Sequence, residues 1–511
     1  MGQIDKFEFI ASTFLWGGAL RLICITFWKT LEKDCKFDII KGNLRSVSIG
    51  KGGAQMASSG KKRAKLLRVR LTPTQTIALV FISIILVGAA LLALPVSSRS
   101  GVSVGGISAL FTATSATCVT GLVVGDTWTL FSGFGQAVII CLIEVGGLGF
   151  MSAACLVIFL FRRKIGLRQR MVMAQALSVN EMESVVRLQK WVLLGSLLIQ
   201  LTGAVILFLH FWPDYGWFTA LKWGVFHAVS AFCNAGFDIV GSVAPGQSMM
   251  LFQNDPVVLI TLMALVVIGG LGFFVWEEVA TCRSIKKWSV YTKLVLITTL
   301  VLLLGGAAVT LLLEWNNPET LGSMPVGQKI LNAFFQSVTL RTAGFSSFDQ
   351  GSLTEPGKAV SIMLMFIGGC SGSTAGGLKV VTVLVLILFV TSRARGRSRV
   401  SVFRRNIPGE KVMDAMTIVT IVVGLALFGA IVICAASSVS FLDALYETAS
   451  ALATVGLTTG VTPHLNILSK LMIILFMYFG RVGILTLSLG FLLGDRAQER
   501  FQYADTNLLI G

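Results

Sequence analysis

SALFTATSATCVTGL (108–122) is the first of four similar stretches in this chain, and the others are WGVFHAVSAFCNAGF (223–237), LNAFFQSVTLRTAGF (331–345) and LYETASALATVGL (445–457). Each is a short, moderately apolar segment that ends in a small or polar residue, a small or β-branched residue, glycine and a bulky apolar residue. Their glycines at 121, 236, 344 and 456 are spaced by 115, 108 and 112 residues. Because internal repeats are a strong indication of architecture, the sequence predicts four similar structural units.

A second glycine motif follows each stretch inside the next apolar run. The motifs are Gly146-Gly147-Leu148-Gly149-Phe150, Gly269-Gly270-Leu271-Gly272-Phe273, Gly368-Gly369 and Gly480-Arg481-Val482-Gly483. They begin 25, 33, 24 and 24 residues after the preceding loop glycine. The repeated unit is therefore predicted to be a helix, a short re-entrant helix, a glycine strand and a second helix. In the two GGLGF motifs, the glycines are expected to allow close helix packing.

The composition indicates a membrane protein. The 511-residue chain is 54% hydrophobic and 13% charged, with a mean hydropathy of +0.81, whereas soluble domains carry about 25% charged residues. Eight apolar runs reach the roughly 20 residues that a helix needs to cross the hydrocarbon layer. They cover 74–94, 134–161, 189–211, 256–279, 291–313, 358–392, 412–436 and 467–493. We predict an all-α polytopic membrane protein with eight full spans, in which four pseudo-symmetric helix–pore-loop–helix repeats surround one central pore.

Basic residues collect in every second loop, which explains the net charge of +17. The main clusters lie within 61–70, 162–170, 283–287 and 393–411. Since cytoplasmic loops carry the excess of lysine and arginine, the pattern predicts an even number of spans with both termini in the cytoplasm. No basic cluster alternates with stacking aromatics, so nucleic acid is not an expected partner.

The repeats divide most of the chain into units at 73–170, 171–288, 289–405 and 406–496, followed by a tail at 497–511. Residues 1–72 are predicted to form a cytoplasmic or membrane-peripheral segment. Within it, residues 7–28 are apolar but contain Glu8 and Arg21, which fits either an interfacial helix or an extra span. Met56 lies just before the first basic cluster and is an alternative start.

The four glycine segments are predicted to line an ion filter. Non-helical backbone at membrane depth is tolerated only where it is buried or lines a wet cavity. Carbonyls around one axis can replace the water shell of a monovalent cation, and glycine adopts the φ values that this needs. The alternative is that these glycines only allow close helix packing. The predicted filter residues are Val119, Thr120, Gly121, Leu122, Asn234, Ala235, Gly236, Phe237, Thr342, Ala343, Gly344, Phe345, Thr454, Val455, Gly456 and Leu457.

These segments, together with GGCSGSTAGGLK (368–379), resemble the Trk/Ktr/HKT superfamily of potassium transporters. The resemblance is strongest to the membrane subunits of bacterial Ktr uptake systems. It covers about residues 70–511, including the tail from Tyr503 to Gly511. The resemblance implies that K+ is the transported ion and associates potassium preference with glycine at position 121. It leaves open whether Na+ stimulates the flux.

The resemblance also implies an assembly. It points to a homodimer with one pore per chain in the cell (inner) membrane, surrounded by membrane lipid. A cytosolic ring of nucleotide-binding regulatory subunits is the second expected partner. The resemblance implies that the ATP or ADP site lies on that partner, and this chain contains no Walker motif or dinucleotide fingerprint. No cofactor is expected on this chain, and K+ at the filter is the only metal ion predicted.

Residues 368–379 interrupt the sixth apolar run with five glycines and three hydroxyl residues, which disfavour a helix. The sequence predicts a flexible intramembrane loop in a span whose counterparts are largely continuous, with a plain packing kink as the alternative. The resemblance implies that this loop is the gate. The predicted gate residues are Gly368, Gly369, Cys370, Ser371, Gly372, Ser373, Thr374, Ala375, Gly376, Gly377, Lys379 and Arg481.

Five charged positions are singled out by their surroundings. Arg481 interrupts an apolar run, and a buried arginine in a span usually faces a cavity or a partner. It is predicted to be a positive barrier below the filter, with an internal ion pair as the alternative. Arg341 is expected to brace the third filter segment rather than bind the ion. Asp126, Asp238 and Asp349 follow filter segments and either concentrate cations or are ordinary solvated charges.

Two other functions compete with a channel-like pore. Gly369-Cys370-Ser371-Gly372 matches the G-x-S-G of intramembrane serine proteases, but no later span contains a histidine base. The chain is therefore not expected to be an enzyme. A proton- or sodium-coupled secondary cation transporter usually carries acidic residues deep in the membrane. Glu144 is the candidate for that role, at a position where the related family often has an uncharged residue such as glutamine.

Overall fold

The computed structural model describes residues 73–149, 185–282, 284–397, 399–403 and 405–483. Some of the expectations above fall outside these ranges. They concern the apolar segment 7–28, the alternative start at Met56, Phe150, the later parts of the runs 134–161 and 467–493, and the tail at 497–511.

Each predicted unit contains a long helix, a short helix, a glycine segment and further helix. The first unit contains α1 (Pro73–Leu92), α2 (Gly106–Cys118) and α3 (Gly133–Gly147), with a one-turn helix at Thr127–Leu130. The second contains α4 (Val185–Tyr215), α5 (Trp217–Phe232), α6 (Pro256–Gly270) and α7 (Phe273–Thr281). The third contains α8 (Val290–Glu314), α9 (Val326–Thr339), α10 (Glu355–Phe366) and α11 (Val380–Ala394). The fourth contains α12 (Gly409–Ala436), α13 (Phe441–Ala453) and α14 (Ile467–Val482).

The basic stretch between α11 and α12 holds a small antiparallel hairpin. It pairs β1 (Ser401–Val402) with β2 (Arg405–Asn406).

The first helix of each unit is long and apolar enough to cross a membrane. The four stretches are Gln75–Leu92, Gln189–Tyr215, Val290–Glu314 and Gly409–Ala436. Large apolar side chains such as Leu198, Leu312 and Phe428 are exposed on their outer faces, which suits contact with lipid rather than water. The protein is therefore a mainly helical membrane protein.

In the second unit, the helical stretch after the glycine segment is broken rather than continuous. α6 and α7 are bent by 93° at their junction, so the prediction that the counterparts of the sixth run are largely continuous is wrong for the run 256–279. Gly272, between the two helices, has a φ of +93°, a conformation that glycine adopts at little cost. In the described residues α3 and α14 also stop before glycines with positive φ, Gly149 and Gly483. The glycine motifs therefore end helices, in addition to the close helix packing expected of them.

The four units pack on one another in a closed ring. α3 packs on α5, α6 on α9, α10 on α13, and α14 returns to α2. The helix that follows the glycine segment in each unit therefore contacts the short helix of the next unit, and the fourth unit contacts the first. Within the units, a side chain at Gly146 or Gly269 would collide with the carbonyl oxygen of Thr117 or Phe232, at the end of the short helix. This confirms the packing role predicted for these two glycines.

Candidate ion pathway

The four filter segments meet in a ring. A β-carbon placed on Gly121 would lie 2.5 Å from a carbonyl oxygen of the second segment, and one on Gly236 would lie 2.8 Å from a carbonyl oxygen of the third. One on Gly344 would lie 2.7 Å from a carbonyl oxygen of the fourth, and one on Gly456 would collide with a carbonyl oxygen of the first. These oxygens belong to Ala235, Ala343, Val455 and Thr120. Each glycine thus faces the residue before the next glycine, and the circle closes.

The same backbone conformation occurs in all four segments. The first residues of the segments have φ values of 57°, 59°, 71° and 52° at Val119, Asn234, Thr342 and Thr454. The glycines two positions later have φ values of 96°, 68°, 82° and 91°. The left-handed region is unfavourable for β-branched residues, and such strain persists only where the surrounding structure enforces it. Alternation of positive and negative φ turns successive carbonyls to one side of the strand.

Hydroxyl groups of the short helices fix the segments in place. Ser115 and Ser450 accept hydrogen bonds from the N–H groups of Gly121 and Gly456, at 3.1 and 3.0 Å. The hydroxyls of Ser230 and Thr339 donate to the carbonyls of Phe237 and Phe345, at 2.7 and 2.6 Å. We did not anticipate these positioning residues. A serine six positions before the glycine in three of the four copies was the available signal.

The intramembrane loop, residues 367–379 between α10 and α11, lies against the filter segments. A β-carbon on Gly376 would collide with the Thr454 hydroxyl, and one on Gly377 would lie 3.0 Å from the Ala453 carbonyl oxygen. The Thr374 hydroxyl donates to the Phe232 carbonyl at 3.0 Å, at the end of the second unit's short helix. The loop therefore contacts the filter-bearing parts of two units.

Backbone hydrogen bonds join the loop to the junction of α6 and α7. The N–H groups of Cys370 and Thr374 donate to the carbonyls of Gly270 and Gly269, at 3.0 and 3.2 Å, and Phe273 N–H donates to the Gly372 carbonyl at 2.8 Å. The loop is thus held in a defined conformation by the break in the second unit, a partner that its sequence did not indicate.

The loop also closes on itself. The Gly368 N–H donates to the Leu378 carbonyl at 2.9 Å, and the Val380 N–H donates to the Gly369 carbonyl at 3.1 Å. The Lys379 ammonium donates to the Ala375 carbonyl at 2.8 Å.

Arg481 joins three units at the loop. Its guanidinium donates to the carbonyls of Thr374 in the loop and of Gly146 and Gly147 in α3, the last at 3.0 Å. In the part of the chain that the structure describes, no carboxylate forms a salt bridge with Arg481. The geometry therefore favours a positive charge held by carbonyls over the ion pair considered above.

A sequence profile of the TrkH family, described as a cation transport protein, matches residues 53–499. The chain belongs to the TrkH family of cation transport proteins. The match includes all four filter segments, the intramembrane loop and Arg481.

Individual relatives agree with this membership. The chain is 39% identical over 452 residues to the potassium/sodium uptake protein NtpJ of Enterococcus hirae, an alignment covering 88% of this chain and 99% of that protein. It is 40% identical over 443 residues to the Ktr system potassium uptake protein B of Bacillus subtilis, covering 87% and 98%. The Vibrio alginolyticus protein of the same description is 38% identical over 439 residues, covering 85% and 94%.

The fold of a solved TrkH family member is also similar. The potassium transporter TrkH from Vibrio parahaemolyticus superposes with a TM-score of 0.62 at 18% identity, covering 83% of this chain and 86% of that chain.

Arg341 lies between the third filter segment and the intramembrane loop of this TrkH family protein. One guanidinium nitrogen donates to the Gly368 carbonyl at 3.4 Å. The Asn234 amide donates to the Arg341 carbonyl and to the Thr342 hydroxyl, at 3.5 and 3.4 Å. Arg341 therefore contacts the loop with its side chain and the second filter segment with its backbone, as a brace would.

The three outer aspartates differ in their contacts. Asp126 caps the one-turn helix through the Thr129 N–H at 2.7 Å and accepts from the Gly246 N–H at 3.2 Å. Asp349 accepts from the Gly351 N–H at 3.1 Å and from a serine hydroxyl. Burial raises the pKa of Asp238 to about 7, and the nearby charge of Asp126 adds to the shift. The raised pKa means that Asp238 changes charge near neutral pH.

Proposed function

We propose that this chain is the pore-forming membrane subunit of a potassium uptake system, which conducts K+ through a filter of backbone carbonyls. The ring of four glycines carries the proposal, because it brings four strands of identical conformation around one axis. In such a ring, carbonyl oxygens take over the hydration of an alkali cation. The four pseudo-symmetric repeats and the sixteen filter residues named above belong to this proposal.

The intramembrane loop and Arg481 form the proposed gate. Arg481 is held against the loop by the Thr374 carbonyl and presents a positive charge beside the filter segments. A cation leaving the filter would meet both the loop and this charge. Movement of the loop away from Thr454 would widen the path, and loss of the Thr374 contact would free the arginine.

The proposed assembly is a homodimer in the cell membrane, with both termini in the cytoplasm and one pore per chain. A cytosolic ring of nucleotide-binding subunits would control the gate, with ATP or ADP bound to that partner. The description of two relatives as protein B of a Ktr system supports a multi-component assembly. Stimulation by Na+ is compatible with this arrangement.

A second candidate function is a secondary transporter that couples K+ to Na+ or protons. The description of the Enterococcus relative as a potassium/sodium uptake protein favours a role for Na+. Glu144 would be the acidic group of a coupling pathway. Ion coupling predicts that a sodium or proton gradient alone drives K+ uphill, whereas a pore follows the K+ gradient and the voltage only.

The deciding experiment is rubidium flux into proteoliposomes under imposed K+, Na+, proton and voltage gradients. We expect flux that follows the rubidium gradient and the voltage, with little sodium flux. Gly121→Ser should reduce the preference for potassium over sodium, because its β-carbon meets a filter carbonyl at 2.5 Å. Equal potassium and sodium flux in the wild-type protein would contradict the selectivity, and uphill rubidium uptake driven by sodium or protons would favour the second candidate.

A further inference from the structure

Glu144 in α3 is held differently from two buried carboxylates of other units, Glu314 and Glu447. Glu314 is fully buried and accepts from the Thr354 N–H and from the side chains of Asn317, Thr320 and Thr354. Glu447 is also fully buried and accepts from the Thr459 N–H and from the hydroxyls of Thr458 and Thr462. These hydrogen bonds satisfy the acceptor oxygens of both carboxylates.

Glu144 has weaker partners. Its carboxylate accepts from the Gln200 amide, at 3.0 and 3.3 Å for the two oxygens, and from the Cys233 thiol at 3.4 Å. No described basic side chain forms a salt bridge with it. A carboxylate in a low-dielectric site without a counter-ion is costly and tends to take up a proton. Glu144 is only partly buried.

The position of Glu144 relates it to the ion pathway. Cys233, its thiol partner, directly precedes Asn234, the first residue of the second filter segment. Gly146 and Gly147, just after Glu144 in α3, supply carbonyls to Arg481. Glu144 therefore lies next to the start of a filter segment and within one turn of the α3 carbonyls that hold the arginine of the proposed gate.

Among the described residues, the titratable and charged groups near this region come from four elements. Cys233 at the end of α5 contacts Glu144 directly. The positive charge of Arg481 from α14 acts on both Cys233 and Cys118, the latter at the end of α2. From α4, the neutral amide of Gln200 contacts the Glu144 carboxylate. In the part of the chain that the structure describes, two thiols, Arg481 and Lys379, a loop residue on which the Arg481 charge acts, thus accompany a single acid.

We propose that Glu144 is a proton-exchanging group that sets the electrostatic barrier at the inner end of the filter. This inference rests on the proposed function. The ionised carboxylate attracts a cation leaving the filter. Protonation gives a neutral carboxylic acid, and release of that proton to water restores the charge. Flux therefore rises as the pH on the inner side rises.

The test is rubidium flux in proteoliposomes at a series of inner pH values, with the outer pH held constant. Wild-type flux should increase with inner pH, and Glu144→Gln should lose this response and stay at the low level. Glu319→Gln removes an exposed loop carboxylate and should keep the wild-type response. Glu144→Asp keeps an acid and should retain a pH response with a shifted midpoint.

Difference infrared spectra provide a second readout if Glu144→Gln does not fold. The carbonyl band of a protonated carboxylic acid should appear in the wild type at low pH and move in Glu144→Asp. A Glu144→Gln protein whose flux responds to inner pH like the wild type would overturn the inference, as would an unchanged band in Glu144→Asp. Absence of wild-type rubidium flux at every pH would instead contradict the proposed function.

Discussion

Two constraints act on the glycine at each ring position, namely a positive φ and the lack of space for a side chain. The φ of Gly456 is +91°, and the space that a β-carbon would fill is already occupied by the Thr120 carbonyl oxygen. Either constraint alone could be relieved by a small shift of the backbone. Together they exclude a side chain, because relief of the collision would move a carbonyl that the filter needs.

Gly456→Ala and Gly460→Ala separate these two constraints. Gly460 has a similar φ of +87° but no atom within 4 Å of a β-carbon. A left-handed alanine costs ~1–2 kcal/mol. We expect Gly456→Ala to lower rubidium flux at least about tenfold, since about 1.4 kcal/mol corresponds to a factor of ten. Gly460→Ala should keep near-normal flux. Equal loss in both variants would mean that strain alone, and not the carbonyl ring, matters.

Asp238 provides a prediction about the pH on the outer side. Because its pKa is raised to about 7, it is largely protonated below that pH and ionised above it. The ionised form attracts cations two residues beyond Gly236, so flux at low potassium concentration should rise as the outer pH increases through about 7. Asp238→Asn should remove this response while the response to inner pH remains. A pH response identical to the wild type would contradict this role.

The sequence was sufficient to find the four ring glycines because their pattern recurs with almost constant spacing. It could not identify the groups that fix them, since Ser115 and Ser450 bond to backbone N–H whereas Ser230 and Thr339 bond to carbonyls. The same residue type performs different tasks in different units. Arg481 was recognised as unusual, but only the folded chain shows that carbonyls of Gly146, Gly147 and Thr374 hold it.

At the scale of secondary-structure elements, backbone hydrogen bonds join the intramembrane loop to the bent pair of α6 and α7. Sequence reasoning located the loop from its glycines, yet treated α6 and α7 as a single span. The reason is that hydropathy averages over the run 256–279 and does not register one glycine at φ +93°. The break exposes the carbonyls of Gly269 and Gly270, and the loop N–H groups satisfy them.

Removal of Gly372 to Gly376 tests the loop as a gate. The deletion takes away Thr374, which holds Arg481 and the Phe232 carbonyl, and Gly376, which lies against Thr454. We expect higher rubidium flux that no longer depends on the cytosolic partner or nucleotide. Arg481→Ala should add to the increase by removing a repulsive charge. A monodisperse deletion variant with unchanged flux and full nucleotide control would rule out this gate.

At the scale of the whole molecule, the four units depend on one another. The second helix of each unit packs on the short helix of the next, and each filter glycine contacts the following segment. The repeat was visible in the sequence, but the contacts between units were not, because they join residues roughly a hundred positions apart and, where the fourth unit meets the first, more than three hundred. The ion pair of Lys358 and Asp443, at 2.9 Å, adds a polar link between the third and fourth units.

A chain that starts at Met56 tests which part of the molecule suffices for transport. All four described units lie after residue 72, and the family match begins at residue 53. The shortened chain keeps the basic cluster at 61–70, which should retain the first span's orientation. We expect normal membrane insertion, a monodisperse profile in detergent and rubidium flux within about twofold of the full chain, since the factor of two corresponds to less than ~0.5 kcal/mol.

The matched control is the same shortened chain with its six basic residues at 61–70 replaced by glutamine. Those residues are Lys61, Lys62, Arg63, Lys65, Arg68 and Arg70. Without them the first span loses its flanking positive charge, so a fraction of the molecules should insert in the opposite orientation. Protease accessibility of the loop between α11 and α12 in sealed vesicles distinguishes the two orientations. Loss of folded protein in the chain that starts at Met56, with its basic cluster intact, would show that residues 1–55 are required for the membrane fold.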